Sequence, residues 1–247
     1  MVLEGQETIS IDGRDNTGSL GTGKYVFRLY DESGKININR MQNRTAVILN
    51  NLIVNLGTPK EQADIIVDSI SDWIDGDNLA RLNGAESEYY QSLPNPYDAK
   101  NARLDTLEEL MMVKGMTADI LFGTKERKGL IQFLTVYSRM DRINMNAAPK
   151  EVLMALPDVT EEIADRIVER RQSIEFKSIQ DIQMIEGINY RALAPFVDIG
   201  ESNVYTIESV GFQSEEKKGY GIRAVVSIDT NGAPSFKYYK SPAEIRE

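Results

Sequence analysis

The stretch KYVFRLYDESGKININRMQNRTAVILNNLIVNL (residues 24–56) decides the fold, because the spacing of its apolar residues changes along it. Residues 24–31 alternate between apolar and polar side chains, as a half-buried strand does, and residues 35–39 predict a second short strand. From residue 42 to about residue 56, the apolar residues recur at helical spacing. The chain therefore passes from a sheet into a helical region near residue 40.

The helical pattern continues through most of the chain. It predicts one helix from about residue 60 to residue 74 and another over residues 161–172. Between residues 75 and 103 the sequence is polar and contains two prolines and two glycines, which predicts a long loop. A loop of this length in a compact region is usually functional or stabilised by an ion.

The final part of the chain returns to alternation. Residues 204–212, 220–229 and 235–240 predict an antiparallel meander, with turns at residues 215–219 and 230–232. Strands therefore occur at both ends of the chain, with helices between them.

We predict an α+β fold in which an antiparallel β-sheet frame carries a large inserted α-helical domain. Residues 1–40 would supply a lead-in and the first strands of the frame, residues 41–200 the insert, and residues 201–247 the strands that complete the frame. Two tandem domains also fit the order of elements, but they would leave the strands at residues 24–39 without partners.

The composition excludes several classes of function. The 247 residues include no Cys and no His, so thiol chemistry, disulfides, imidazole catalysis and His-ligated zinc are all excluded. The formal net charge of −10 disfavours binding to nucleic acid or anionic lipid. No apolar run is long enough to cross a membrane. We therefore expect a binding or structural protein and not an enzyme.

The first 23 residues are rich in Gly, Ser, Thr and Asp and predict a loose lead-in with one short strand at residues 8–11. Within it, GSLGTGK (residues 18–24) has the Gly and Lys spacing of a phosphate-binding loop. Tyr25 stands where that motif needs Ser or Thr, and a strand follows where it needs a helix. We therefore interpret residues 18–24 as a flexible linker.

A twelve-residue pattern occurs three times, at residues 106–117, 149–160 and 178–189. Each copy starts with a residue that favours a helix start, places apolar residues around a central turn, and ends in Thr or Asn, which cap the next helix. This is the pattern of a helix–hairpin–helix, a unit that often binds nucleic-acid phosphates.

Two features of these hairpins point in opposite directions. Asp158 carries a carboxylate where such hairpins usually have Gly, and a carboxylate repels phosphate. Arg166, Arg170 and Arg171 predict a local basic face that favours nucleic-acid binding. We interpret the repeats as packing units and keep nucleic-acid binding as an alternative.

Five carboxylates crowd the start of the long loop: Asp72, Asp75, Asp77, Glu86 and Glu88. Hard oxygen ligands suit Ca²⁺, and a long acidic loop needs charge neutralisation. The EF-hand pattern does not fit, because Leu79 occupies a ligand position and Ala80 replaces the turn glycine. A plain solvated loop and a carboxylate pair for glycoside hydrolysis are the alternatives.

Several segments together resemble one family, the K-type minor pseudopilins of bacterial type II secretion systems, with close relatives among type IV pilus minor pilins. The segments are YDESGKININR (30–40), DSISDWIDGDNLARLNGAESEYY (68–90), PNPYDAKNARLDTLEELMMVKGMT (94–117), INMNAAPKEVLMALP (143–157) and YTIESVGF (205–212). They occur in the family's order and span most of the chain.

The resemblance implies a pilin-like sheet interrupted by a large α-domain. It implies a periplasmic domain of an inner-membrane-anchored protein that caps the pseudopilus tip with the I-type and J-type minor pseudopilins and helps to initiate assembly. It also implies no nucleic-acid partner and a structural Ca²⁺, with Asp75, Asp77, Glu86 and Glu88 as ligands and Asp98 as a further candidate. Since the family's apolar N-terminal helix has no counterpart in these residues, we expect a soluble domain of a longer protein. The alternatives are a type IV pilus minor pilin and a helix–hairpin–helix nucleic-acid-binding protein.

Overall fold

The computed structural model describes residues 9–213, 219–243 and 245. The strands are β1 (Asn16–Leu20), β2 (Gly23–Asp31), β3 (Ile36–Asn37), β4 (Leu134–Thr135), β5 (Ile143–Asn144), β6 (Val197–Asp198), β7 (Val204–Phe212), β8 (Tyr220–Ile228) and β9 (Pro234–Lys240). The α-helices are α1 (Asn43–Asn55), α2 (Lys60–Ile74), α3 (Ser87–Gln91), α4 (Ala118–Leu121), α5 (Lys150–Met154), α6 (Glu161–Ser173), α7 (Ile179–Gln183) and α8 (Tyr190–Leu193). Short 3-10 helices lie at Glu32–Gly34, Ile38–Arg40, Leu107–Met112 and Leu130–Gln132.

The two ends of the chain form one five-stranded sheet, in the order β1-β2-β7-β8-β9. Every neighbouring pair in it is antiparallel, and the central register places Leu29 opposite Ile207 and Ile207 opposite Ala224. Because β2 pairs with β7, the chain leaves the sheet after residue 31 and returns to it at residue 204. The predicted α+β fold, a sheet frame with a helical insert, is confirmed, and the tandem-domain alternative is wrong.

Three predictions about the first forty residues are wrong. Residues 18–24 are not a linker, because they contain the turn between β1 and β2, with Gly21 at a φ of 60°. Residues 9–11 form no strand, and Thr8 lies outside the described residues. Of residues 35–39 only Ile36–Asn37 form a strand, and they pair in parallel with β4 in the insert instead of joining the frame.

The insert contains the main hydrophobic core. Helices α1 and α2 have the predicted boundaries to within one residue, and each buries one apolar face. The buried apolar residues are Ile48, Leu49, Leu52 and Ile53 of α1, and Ala63, Ile66, Val67, Ile70 and Trp73 of α2. Helix α6 and strands β7–β9 also match their predictions, as does the turn after β8; of the turn predicted at residues 215–219, residues 215–218 lie outside the described part.

The three repeats share one backbone feature. Gly115, Asp158 and Gly187 occupy the same position in their copies and have φ values of 85°, 60° and 83°. A left-handed residue at this position turns the chain from the first helix of a hairpin into the second. The hairpins precede α4, α6 and α8, so the helix–hairpin–helix prediction is confirmed as a structural unit.

Close backbone packing holds the segment that follows β2 against the middle of the insert. Gly34 lies against the backbone of Ala147 and Ala148, where a Cβ atom would come within 2.5 Å of the Ala147 carbonyl. Beside this contact, Asn144 donates its side-chain amide to Ser33 Oγ at 3.1 Å. Among the described residues, no helix is long and apolar enough to span a membrane.

Candidate metal centre

Helix α2 holds the loop that follows it through two carboxylates one turn apart. Asp68 accepts hydrogen bonds from the backbone N–H and the side-chain amide of Asn83, at 3.1 and 3.0 Å. Asp72 accepts one from the backbone N–H of Arg81 at 3.1 Å. Because residues four apart lie on the same face of a helix, these two side chains fold the loop back along α2.

The Asp72 carboxylate is fully buried and already has its partners. The guanidinium of Arg81 lies 2.5 Å from Asp72 Oδ1 and 2.6 Å from Asp75 Oδ2. A Cβ atom at Gly84 would overlap Asp72 Oδ2, so the loop approaches this closely only because residue 84 is glycine. Asp72 therefore supports the loop and does not point a free oxygen into it.

Three other carboxylates converge beside this ion pair. Asp75, Asp77 and Glu86 each offer one oxygen, and these oxygens lie within 4.8 Å of one another. Glu86 is only 5% exposed, whereas Asp75 is half-buried and Asp77 is exposed. The centre is thus open to solvent on the Asp77 side.

The group has buried oxygen atoms without partners. Both Glu86 carboxylate oxygens and Asp75 Oδ1 lack a hydrogen-bond donor among the described residues. The side-chain oxygen of Asn101 also lacks one, while its amide nitrogen donates to the Asp77 carbonyl at 3.2 Å and to Asn78 Oδ1 at 3.1 Å. Buried acceptors without donors are costly, and a cation would satisfy them.

The electrostatic environment of Glu86 also favours a bound cation. Burial, followed by repulsion from the carboxylates of Asp72, Asp75 and Asp77, raises the pKa of Glu86 to about 7, and Arg81 opposes this rise. A carboxyl with this pKa holds a proton near neutral pH unless another cation replaces it.

The sequence prediction of the ligands is met unevenly by the geometry. Asp75, Asp77 and Glu86 come together. Glu88 is exposed on α3, and Asp98 accepts a hydrogen bond from Gln91 at 2.8 Å; neither belongs to the group of three. Sequence reasoning missed Asn101, whose signal was an amide oxygen in the same loop.

The donor set fits a hard divalent cation. Carboxylate oxygens from Asp75, Asp77 and Glu86 are ligands that Ca²⁺ prefers, and three such ligands leave positions for water. The loop is held from its far side by an aromatic cluster, in which Trp73 packs edge-on against Tyr90 with ring centroids 5.0 Å apart. Lys114 donates to the Gly84 carbonyl at 2.9 Å and so fixes the chain just before Glu86.

Of the basic face that the sequence predicts, Arg166 and Arg170 are exposed and Arg171 is not. Arg171 is turned inward and donates to the carbonyls of Met145 and Ala148 at 3.1 and 2.7 Å. Arg166 donates to the Glu186 carbonyl at 2.8 Å in the third hairpin, while Arg170 is exposed. Two of the three arginines are thus occupied in holding the hairpins together.

Comparison with known proteins gives two family matches. Residues 34–124 match the family described as type II secretion system (T2SS), protein K, and residues 139–197 match the helix-hairpin-helix motif. The endonuclease/exonuclease/phosphatase family domain-containing protein 1 of Xenopus laevis is also similar, with 32% identity over 72 residues, which are 29% of this chain and 13% of that protein.

Longer similarities agree with the first match. The type II secretion system protein K of Pectobacterium carotovorum subsp. carotovorum is 27% identical over 181 residues, covering 70% of this chain and 54% of that protein. The chain therefore spans about half the length of this relative. A chain of the GspK-GspI-GspJ complex from the type 2 secretion system of enterotoxigenic Escherichia coli has the same fold, with a TM-score of 0.70, 19% identity, and coverage of 94% of this chain and 84% of that one. The chain is therefore similar to the type II secretion system protein K family over residues 34–124, and it shares the fold of a chain of the GspK-GspI-GspJ complex.

Proposed function

We propose that this chain caps the tip of a type II secretion pseudopilus and helps to initiate its assembly, as a non-enzymatic subunit bound to I-type and J-type minor pseudopilins. The observation that carries the proposal is the size of the insert, since residues 32–203 lie between the paired strands β2 and β7. A subunit this wide beside its sheet would not fit within a helical shaft with neighbours on all sides, but it fits at an end.

The partners follow from the related structure and not from this chain alone. The protein with the same fold was solved as part of a GspK-GspI-GspJ complex, which supports a ternary complex here. The same reasoning supports a periplasmic location for this domain, with a membrane anchor elsewhere in the whole protein. The absence of His and Cys from the sequence supports a non-enzymatic role.

Complex formation tests this proposal directly. The purified chain is mixed with the soluble domains of the I-type and J-type pseudopilins from the same organism, and the mixture is analysed by sedimentation velocity in calcium-containing buffer. We expect one species with the mass of a 1:1:1 complex. Independent sedimentation of the three proteins at about 50 µM, well above the Kd of a stable assembly, would refute the proposal.

Calcium binding is a second proposal, and it concerns the same subunit. Asp75, Asp77 and Glu86 would hold Ca²⁺, which would act as a structural ion that fixes residues 75–103 against α2. The unpartnered oxygens of Glu86 and Asp75 support it. We expect Ca²⁺ to raise the melting temperature and EDTA to reverse the increase, because an ion that binds only the folded chain stabilises it. Identical melting curves with 2 mM Ca²⁺ and with EDTA would contradict a structural ion.

Nucleic-acid binding is the remaining candidate, favoured by the helix-hairpin-helix match at residues 139–197. The Asp158 carboxylate in the second hairpin and the net charge of −10 oppose it. A fluorescent DNA duplex at low salt tests it. We expect no anisotropy change at 10 µM protein, and a salt-sensitive increase would establish this function.

A further inference from the structure

A second charged site, separate from the three carboxylates of the metal centre, lies where three chain segments meet. They enclose a polar cleft of about 380 Å³. Its lining residues include Arg40, Arg103 and Arg139, one from each segment. The volume falls within the range of pockets that hold small ligands or short peptide segments.

The three arginines carry unneutralised charge. All three are exposed, and none of their guanidinium groups forms an ion pair or hydrogen bond with a described residue. The one carboxylate in the lining, Asp105, lies 2.7 Å from the ammonium of Lys100. Lys100 also pairs with Glu109 at 2.6 Å, so the three arginines and one aspartate leave the lining with a net charge of +2. A positive cluster of this kind is unexpected in a chain with a net charge of −10.

Side-chain amides hold the walls of the cleft in place. Asn37 is buried and donates to the carbonyls of Ser138 and Met140 at 2.5 and 3.1 Å. Asn39 both donates to the Leu104 carbonyl at 2.9 Å and accepts from the Leu104 N–H at 2.8 Å. These bonds tie the segment carrying Arg40 to the segments carrying Arg103 and Arg139. The cleft is therefore pre-organised, which lowers the cost of binding.

The chemistry of the lining selects the ligand. Arginine presents a planar pair of N–H donors that matches a carboxylate, and three separated guanidinium groups match several carboxylates better than one compact ion. The carbon atoms of Val136, Leu104 and half-buried Tyr137 offer apolar contact to side-chain methylenes.

We propose that this cleft binds an acidic segment of a partner protein, whose Asp and Glu side chains pair with Arg40, Arg103 and Arg139. The proposal is independent of the metal centre and of the tip complex. Since the arginines are exposed, the interaction should weaken as salt rises.

The test uses a fluorescein-labelled hexapeptide of alternating Asp and Glu, with its Asn/Gln counterpart as the neutral control, at 20 mM salt. Two triple variants of the whole chain lose the same charge. One, R40Q/R103Q/R139Q, changes the cleft; the other, R142Q/R170Q/R191Q, changes exposed arginines that do not line it. Melting temperatures check that both variants fold.

We expect the acidic peptide alone to bind, with at least about a tenfold loss of affinity in the cleft variant and less than about a threefold loss in the control variant. Equal losses in the two variants would show that net charge alone attracts the peptide, and would overturn the proposal. No binding to the unchanged chain would do the same. Competition by inorganic phosphate at the same concentration as the peptide would identify a small-anion site instead.

Discussion

Ser202 donates its hydroxyl to Asp31, and so connects the residue at which the chain leaves the sheet with the segment by which it returns. The Ser202 Oγ lies 2.5 Å from Asp31 Oδ1, and the Ser202 N–H lies 3.2 Å from Asp31 Oδ2. The N–H of Ser33 donates to the same carboxylate at 2.8 Å. Asp31 is only 1% exposed, and its burial raises its pKa while these donors oppose the rise. The Asp31 carboxylate thus connects the two chain segments at which the insert begins and ends.

Replacement of this carboxylate should be costly. Asp31→Ala leaves the backbone N–H groups of buried Ser33 and half-buried Ser202 without their acceptor, while the Ser202 hydroxyl can still donate to the Val204 carbonyl at 2.9 Å. We expect this change to lower the free energy of unfolding by about 2–4 kcal/mol. Asp229→Ala is the matched control, because the exposed Asp229 also accepts two backbone N–H groups, from Asn231 and Ala233 at 2.8 Å. Urea unfolding should show a loss of about 1 kcal/mol or less for that control. Equal losses would mean that the burial of Asp31 adds nothing.

The stability of the fold also depends on the close backbone packing at Gly34, three residues after the end of β2. A Cβ at this position would come within 2.5 Å of the backbone of Ala147, which cannot move aside as a flexible side chain would. We expect Gly34→Ala to lower the free energy of unfolding by about 1–3 kcal/mol. Gly211→Ala is the control, since a Cβ there meets nothing within 4 Å. If both variants unfold at the same urea concentration, the packing around Gly34 has room for a methyl group.

Substitution of the three converging carboxylates should weaken Ca²⁺ binding more than substitution of carboxylates that are near them only in sequence. Asp77→Asn and Glu86→Gln each remove a charged ligand from the group of three, and we expect either change to weaken binding by about tenfold or more. Glu88→Gln and Asp98→Asn remove the same charge from side chains outside the group and should change affinity by about twofold or less. Isothermal titration calorimetry measures all four. A large loss in Glu88→Gln would show that the loop rearranges around the ion.

Calcium binding should also depend on pH through Glu86. Because its pKa is raised to about 7, the ion must displace a proton at lower pH, and affinity should fall by up to about tenfold per pH unit between pH 7 and pH 5. Without calcium, a carboxyl with a raised pKa stabilises the fold while it is protonated. Its contribution is complete below about pH 4.5, the ordinary value, and is lost as the pH rises through 7.

The neutral variant Glu86→Gln provides the control for both effects. In EDTA, its unfolding free energy should change less between pH 5 and pH 8 than that of the unchanged chain, because residue 86 no longer titrates. Urea denaturation at the two pH values gives the comparison. If the free energy of unfolding changes equally between the two pH values in both proteins, the pH dependence arises from other groups.

Local patterns predict the elements that bury one face, and they fail where side-chain hydrogen bonds decide the backbone. The periodicity of Ile48, Leu49 and Leu52 is enough to predict α1, because the face that it defines is the face that packs. Strand β1 shows no periodic apolar pattern. Its backbone pairing with β2 holds it in place, and this pairing leaves no signal in the sequence. Asn37 and Asn39 read as strand residues, but their amides bond to distant loops and end the strand at residue 37.

In the metal centre, too, the sequence predicts some features, and contacts between distant residues decide the others. Acidity and loop length predict a site, and Asp75, Asp77 and Glu86 do converge. Sequence distance cannot tell that the short helix α3 turns Glu88 toward solvent, or that Gln91 engages Asp98. The hydrogen bonds of Asn101 to Asp77 and Asn78 join residues more than twenty positions apart, and no local pattern predicts such contacts.

The second hairpin offers a last prediction, because Asp158 occupies the left-handed position that Gly115 and Gly187 occupy in the other two. A residue with a Cβ at this conformation costs about 1 kcal/mol relative to glycine, and Asp bears it better than Ala. Asp158 also accepts a hydrogen bond from Asn189 at 3.0 Å, which is exposed and contributes little. We therefore expect Asp158→Ala to lower the free energy of unfolding by about 1 kcal/mol, whereas Asp158→Gly leaves it unchanged or raises it by about 0.5 kcal/mol. Gly187→Ala should lower the free energy of unfolding by about 1 kcal/mol, because it also places a Cβ at a left-handed position. Urea unfolding of the three variants decides the matter: equal stability of the Ala and Gly variants at residue 158 would mean that the bond to Asn189, and not the left-handed backbone, sets the cost of this turn.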